Sequence, residues 1–117
     1  MASYTAVIPS GSTDGKQVIV TATSTPGTLW HTAHATSLDE AIMDATNSSA
    51  SDVEVTVEFG GVASPGDQIK VTVPPKAGLF SIIEAKHHRR ITNSKEIRVF
   101  ADTTSVILIG GGINRIT

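Results

Sequence analysis

The 117-residue chain is 39 % apolar and 17 % charged, with a formal net charge of -2 and no cysteine. So apolar and weakly charged a chain is not a disordered one, and its length suits one domain with one core. The missing cysteine excludes disulfides and thiol-based metal or redox chemistry.

Aromatic residues make up 4 % of the chain, so the core must come from Val, Ile, Leu and Ala. A secreted domain this small would often carry disulfides, so a cytoplasmic origin is expected. No run approaches the length of a membrane span, and the start Met1-Ala2-Ser3-Tyr4 lacks the basic and apolar regions of a signal peptide.

Residues 1–9, ending at Pro9, read as a short N-terminal arm ahead of a domain over 10–117. The turn-rich stretch Ser10 to Gly15 comes next. Gln17 to Thr23 is a strand rich in β-branched residues, and Pro26-Gly27 marks a turn. Thr28 to Ala35 is a second strand candidate. Residues 37–46 are ambiguous: Ser37 followed by Glu40 fits a capping box, with Leu38, Ala41, Ile42 and Ala45 at helical spacing, yet a strand there would make a hairpin with residues 53–59.

Residues 53–59 alternate strictly, with Val53, Val55, Val57 and Phe59 on one face and Glu54, Thr56 and Glu58 on a wet one. Ile69, Val71 and Val73 form another half-buried strand, stopped by Pro74-Pro75. Leu79 to Ile83 is a short apolar strand, residues 85–95 are loop-like, and Ile97 to Ala101 alternates again. Ser105 to Ile109 is an apolar run before Gly110-Gly111-Gly112, as in a fully buried strand. Val55, Val57, Val71, Val99 and Leu108 are the expected core. Short strands with turn signals about every 8–12 residues predict an all-β, single antiparallel β-sandwich or jelly-roll-like domain.

Charge is uneven along the chain. Residues 1–69 hold eight acidic residues and Lys16, net -7, whereas residues 70–117 hold eight basic and three acidic residues, net +5. Strands of the two halves could interleave and average this out, or the halves could present complementary faces to a partner.

Few residues suggest chemistry. His31 and His34 point to opposite faces of a strand and cannot share a metal there. His87 and His88 are adjacent in a loop, and a metal there would need carboxylate or histidine partners that the sequence does not locate. Gly110-Gly111-Gly112 lacks the Lys-Ser/Thr and helix of a phosphate loop. No serine is framed as a nucleophile. Enzymatic activity, cofactors and metals are therefore not expected. Lys86, His87, His88, Arg89 and Arg90 form the basic cluster of the chain: a solvated loop tip or a docking loop for an acidic surface. Nucleic acid is a poor fit, because the whole chain is acidic and no aromatic residues are interleaved to stack bases.

Three segments carry a resemblance: TNSSASDVEVTVEFGG from Thr46, PGDQIKVTVPPKAGL from Pro65, and IRVFADTTSVILIGGGINRIT from Ile97 to the last residue. Together they resemble small structural proteins encoded among the head genes of tailed bacteriophages. The closing Ile113-Asn114-Arg115-Ile116-Thr117 matches that family's ending, with Gly112 where the relatives carry tyrosine. The resemblance implies a strand over 40–46 and a capsid decoration (cement) protein of the virion surface, made in the bacterial host cytoplasm. The partners it implies are the major capsid protein and further copies of the chain, as a homotrimer. It supplies no binding residues. A tail, fibre or spike adaptor is the alternative, with a carbohydrate-binding module behind it. For contacts, the arm residues Val7 and Ile8 and the loop Lys86 to Arg90 are the candidates.

Overall fold

The computed structural model describes residues 3–76 and 78–117. The strands are β1 (Tyr4–Val7), β2 (Val18–Ile19), β3 (Thr28–Thr32), β4 (Leu38–Asn47) and β5 (Val53–Phe59). After them come β6 (Gln68–Val73), β7 (Phe80–Ile83), a 3-10 turn (Ala85–His87), β8 (Arg90–Ile91), β9 (Glu96–Ala101) and β10 (Ile107–Ile116). Two antiparallel sheets pack into an all-β sandwich. The larger has the order β1-β10-β4-β7, with β2 also on β10 and β8 also on β4; the smaller runs β3-β9-β5-β6.

Each sheet buries alternate residues, and these interlock as the core. From the smaller sheet come Val53, Val55, Val57, Val73, Ile97, Val99 and Ala101; from the larger come Ala41, Met43, Ala45, Ile107, Ile109 and Ile113. Register explains the layering: Val57 lies between Val99 and Ile69, and Val55 between Ala101 and Val71. Burying each such branched side chain stabilises the fold by about 1.5–3 kcal/mol. Trp30 is also buried and packs edge-on to the His31 ring.

The ambiguous residues 37–46 are strand. Every residue of β4 pairs with β10, from Leu38 opposite Ile116 to Asn47 opposite Ile107. A ladder of that length outweighs one capping box, because local helix preference is worth only tenths of a kcal/mol per residue. The pleat then sends Asp39, Ala41, Met43 and Ala45 inward.

Two expectations about burial need correction. Leu108 is half-exposed on the outer side of β10, while Ile107 and Ile109 are the buried pair, so the run is a one-sided strand. The face of Glu54, Thr56 and Glu58 is not wet throughout: Thr56 is 1 % exposed, and so is Glu58. Its carboxylate accepts from the backbone N–H of Gly27 at 2.6 Å and from the Thr25 hydroxyl, so the 25–27 turn folds over it. Val71 packs partly buried against the core.

The N-terminal arm is a strand over Tyr4–Val7, paired with Ile113–Ile116 and extended by mutual backbone bonds between Ser3 and Thr117. Met1 and Ala2 lie outside the described residues. From Pro9 to Ser12 the chain crosses to the free edge of β3, where the Gly11 N–H donates to the Trp30 carbonyl and the Thr32 N–H to the Ser10 hydroxyl. A side chain at Gly11 would collide with the backbone of Leu29 and Trp30, so this crossing needs glycine. The crossing covers an edge that would otherwise offer unpaired backbone.

Candidate functional site

The basic loop is largely neutralised by its own chain. Lys86 Nζ lies 3.2 Å from Glu84, whose backbone N–H donates to His87 Nδ1 at 3.0 Å. Arg90 Nε donates to Glu40 at 3.0 Å, and His88 Nδ1 lies 3.6 Å from the same carboxylate. Glu40 comes from β4, fifty residues away, through the pairing of Asp39 and Glu40 with Ile91 and Arg90. Arg89 is exposed and has no ion-pair partner among the described residues. Of the expected docking cations it is the uncommitted one.

The arm candidates separate in the same way. Val7 pairs with Ile113 and packs against the core, whereas Ile8 is 52 % exposed. The uneven charge of the two halves is interleaved by the fold, since β4 of the acidic half lies between β10 and the β7–β8 edge of the basic half.

The densest polar cluster is one that no motif or spacing in the chain points to. Asp39 is fully buried on β4 and bridges three segments. Arg115 of β10 donates to both of its oxygens, Nε at 2.8 Å and Nη2 at 3.0 Å. His31 of β3 contacts it through Nε2 at 2.8 Å, and the His34 N–H donates at 3.1 Å. Burial would raise this carboxyl, but the bonds from Arg115, His31 and His34 outweigh it and hold it at about 2. His31 Nδ1 accepts from the Ser10 N–H at 3.0 Å, so Nε2 carries the proton toward Asp39. An Asp–His pair is half of an acid–base triad. Here the far nitrogen is occupied by a backbone amide rather than a nucleophile, so the cluster ties the sheets and the 9–12 crossing together.

His34 has a local role: its Nδ1 accepts from the Thr36 and Ser37 N–H groups at 3.1 and 2.9 Å. That turn takes the place of the helix start suggested by Ser37. Among the described residues no group of three or more His, Asp or Glu side chains is placed to hold a metal ion.

Two shallow clefts flank Gly60 and Lys95. One, of about 220 Å³, is lined by Glu58, Val62, Ser94, Glu96 and Arg98; the other, of about 240 Å³, by Phe59, Asp67, Arg90 and Thr92. Both are open and smaller than the 300–1,000 Å³ usual for small-molecule sites. Their charged groups are mostly engaged: Arg98 donates to Glu96 and to the Gly27 carbonyl, and Asp67 accepts from the Ala63 N–H.

The remaining distinctive surface is flat. Tyr4, Ile19 and Leu38 are 64 %, 52 % and 40 % exposed, and all three stand on the outer face of the larger sheet. No protein-family model matches the chain, and no curated protein or solved structure matches it.

Proposed function

We propose that the protein is a virion structural protein of a tailed bacteriophage, a capsid decoration protein that attaches to the head surface and reinforces contacts between capsomers. The observation that carries a contact role is the outer face of the larger sheet, where apolar side chains stand exposed across neighbouring strands. Exposed apolar patches of this kind mark interaction surfaces. Its buried polar groups brace the fold, and its clefts are shallow.

The virion assignment rests on the resemblance of the segments from Thr46 onward. Those segments contain β5, β6 and β9 of the smaller sheet and β10 of the larger, strands that build much of the core. Such a protein acts at many equivalent sites of one shell, so individually weak contacts sum. On this reading the chain has no catalytic step, cofactor or metal, and its partners are the major capsid protein and its own copies. Arg89 and Ile8 are the contact residues left available by the fold.

The test is attachment. The purified protein should co-sediment with undecorated heads of the parent phage, and an antibody to it should label heads in negative stain. Labelling confined to tails or fibres would move the protein to the adaptor role, and absence from purified virions would overturn the reading.

A further inference from the structure

The smaller sheet is closed at one edge and open at the other. At β3 the 9–12 crossing caps the edge, whereas β6 pairs with β5 and with no further strand among the described residues. The ladder decides which backbone groups β6 leaves open. The Phe59 N–H donates to the Asp67 carbonyl, and this pair continues the β5–β6 register, so the β6 residues bonded to β5 are Ile69, Val71 and Val73. Lys70 and Thr72 therefore turn their N–H and C=O groups to the free edge. At one end the Gln68 N–H is engaged by the Pro65 carbonyl, and at the other Pro74 has no N–H. The open stretch is Lys70-Val71-Thr72. Lys70 and Thr72 are exposed on the outer face, and Val71 is half-buried on the core side.

We propose that β6 pairs antiparallel with β6 of a second copy, about a two-fold axis through Val71. A two-fold contact requires an edge complementary to itself, and three registers are open to this one. Centring on Lys70 sets two like charges directly opposite each other, which is destabilising. Centring on Thr72 sets Lys70 against Pro74, which cannot donate. Centring on Val71 sets Lys70 against Thr72 of the second copy and Thr72 against its Lys70. All four open N–H groups then meet open carbonyls. On the core side the same register brings the two Val71 side chains together and lays each Ile69 beside a Val73, apolar against apolar.

Charge selects the same occupant. Lys70 and Glu54 are exposed, and neither makes an ion pair among the described residues. In its own sheet Lys70 stands beside Thr56, and Glu54 beside Thr72. The Val71 register adds Lys70 of the second copy to the row of Thr72 and Glu54, on the same face. Its backbone is then about 9.6 Å from that of Glu54, with the short Thr72 between them, and the lysine side chain reaches across. The rotation makes this ion pair twice. A lysine on a lone edge strand guards against association; here each one faces an unpaired carboxylate of its neighbour. One short ladder buries less than the roughly 1,000 Å² of a standard interface, so the pairing belongs to the weak class.

This goes beyond the attachment reading and does not rest on it: absence from heads would leave the pairing standing, and a monomer would leave attachment standing. Sedimentation equilibrium of the full chain should show a dimer tighter than about 1 mM that loosens as salt rises. Lys70→Glu should weaken it at least tenfold, and adding Glu54→Lys should restore it. Thr72→Pro removes an N–H that the chain's own ladder does not use, and should abolish the dimer with unchanged circular dichroism. Across the axis the two Val71 Cα atoms form a non-bonded pair about 4.5 Å apart, within disulfide range. Because the chain has no cysteine, Val71→Cys should give a disulfide-linked dimer on mild oxidation, whereas the exposed Ile19→Cys should not. If Thr72→Pro fails to fold, the charge exchange and the disulfide decide. A monomer up to about 1 mM, a trimer, a dimer indifferent to a folded Thr72→Pro, or a Lys70→Glu defect that Glu54→Lys does not repair would overturn the pairing.

Discussion

Replacing Asp39 by Asn tests what holds the two sheets in register at one end of the sandwich. The change keeps the shape but puts an amide N–H₂ among donors and leaves Arg115 without its carboxylate. Holding the Asp39 carboxyl at about 2 instead of 3.8 contributes about 2 kcal/mol at neutral pH. Breaking a buried pair typically costs about 3–5 kcal/mol. The Arg115 side chain is 25 % exposed and recovers some hydration, so the lower end, about 3 kcal/mol, is expected. For a domain of this size that is a fall of about 12 °C in Tm. The sign with pH comes from the lowered carboxyl: its contribution is complete above about pH 4 and is lost as pH falls toward 2. The gap between parent and variant should thus be widest at pH 7 and shrink below about pH 4. Urea and thermal unfolding at both pH values measure it, and combining the change with Arg115→Met should cost less than the sum of the two. A variant melting within about 2 °C of the parent at pH 7, or a gap independent of pH, would refute the bracing role.

Val57→Asp buries an unpaired charge between Val99 and Ile69 and should cost several kcal/mol, on the order of the penalties for such burial; denaturant titration reads it, and a parent-like midpoint would mean the core is built differently. Gly111 has φ +122, and a Cβ there would drive into the Ile42 carbonyl, so Gly111→Ala should destabilise by about 2 kcal/mol or more, whereas Gly112→Ala should be nearly silent in the same melt. Glu58→Ala strands the Gly27 N–H and should cost about 1–3 kcal/mol, with faster hydrogen exchange at Gly27 as the local sign. Arg89→Ser alone should weaken head attachment at low salt nearly as much as changing Arg89 and Arg90 together, because Arg90 is already committed to Glu40; equal attachment by all three proteins would remove the loop from the contact.

Alternation and punctuation in the sequence determined much of this molecule. The strict two-residue period at 53–59, 69–73 and 97–101 set which face each strand buries, because a pleat sends successive side chains to opposite sides. The Pro74-Pro75 stop ended the 69–73 strand where expected. Pairing was decided only in three dimensions. Residues 37–46 carried a helix start as legible as their strand pattern, and the ten-residue ladder with β10 made them strand. Glu58 looked like a wet-face charge until the 25–27 turn closed over it, and Leu108 looked buried until its neighbours Ile107 and Ile109 took the core side. The Asp39–Arg115 pair spans 76 residues, so no local spacing announces it. The exposed apolar row on the outer face is hidden for the same reason: it comes from strands at both ends of the chain, and only register brings Tyr4 beside Ile116 and Leu38. Local sequence fixes the period of a strand, which depends on the chain itself. Its neighbours are fixed by the free energy of the whole sandwich, to which distant residues contribute on equal terms.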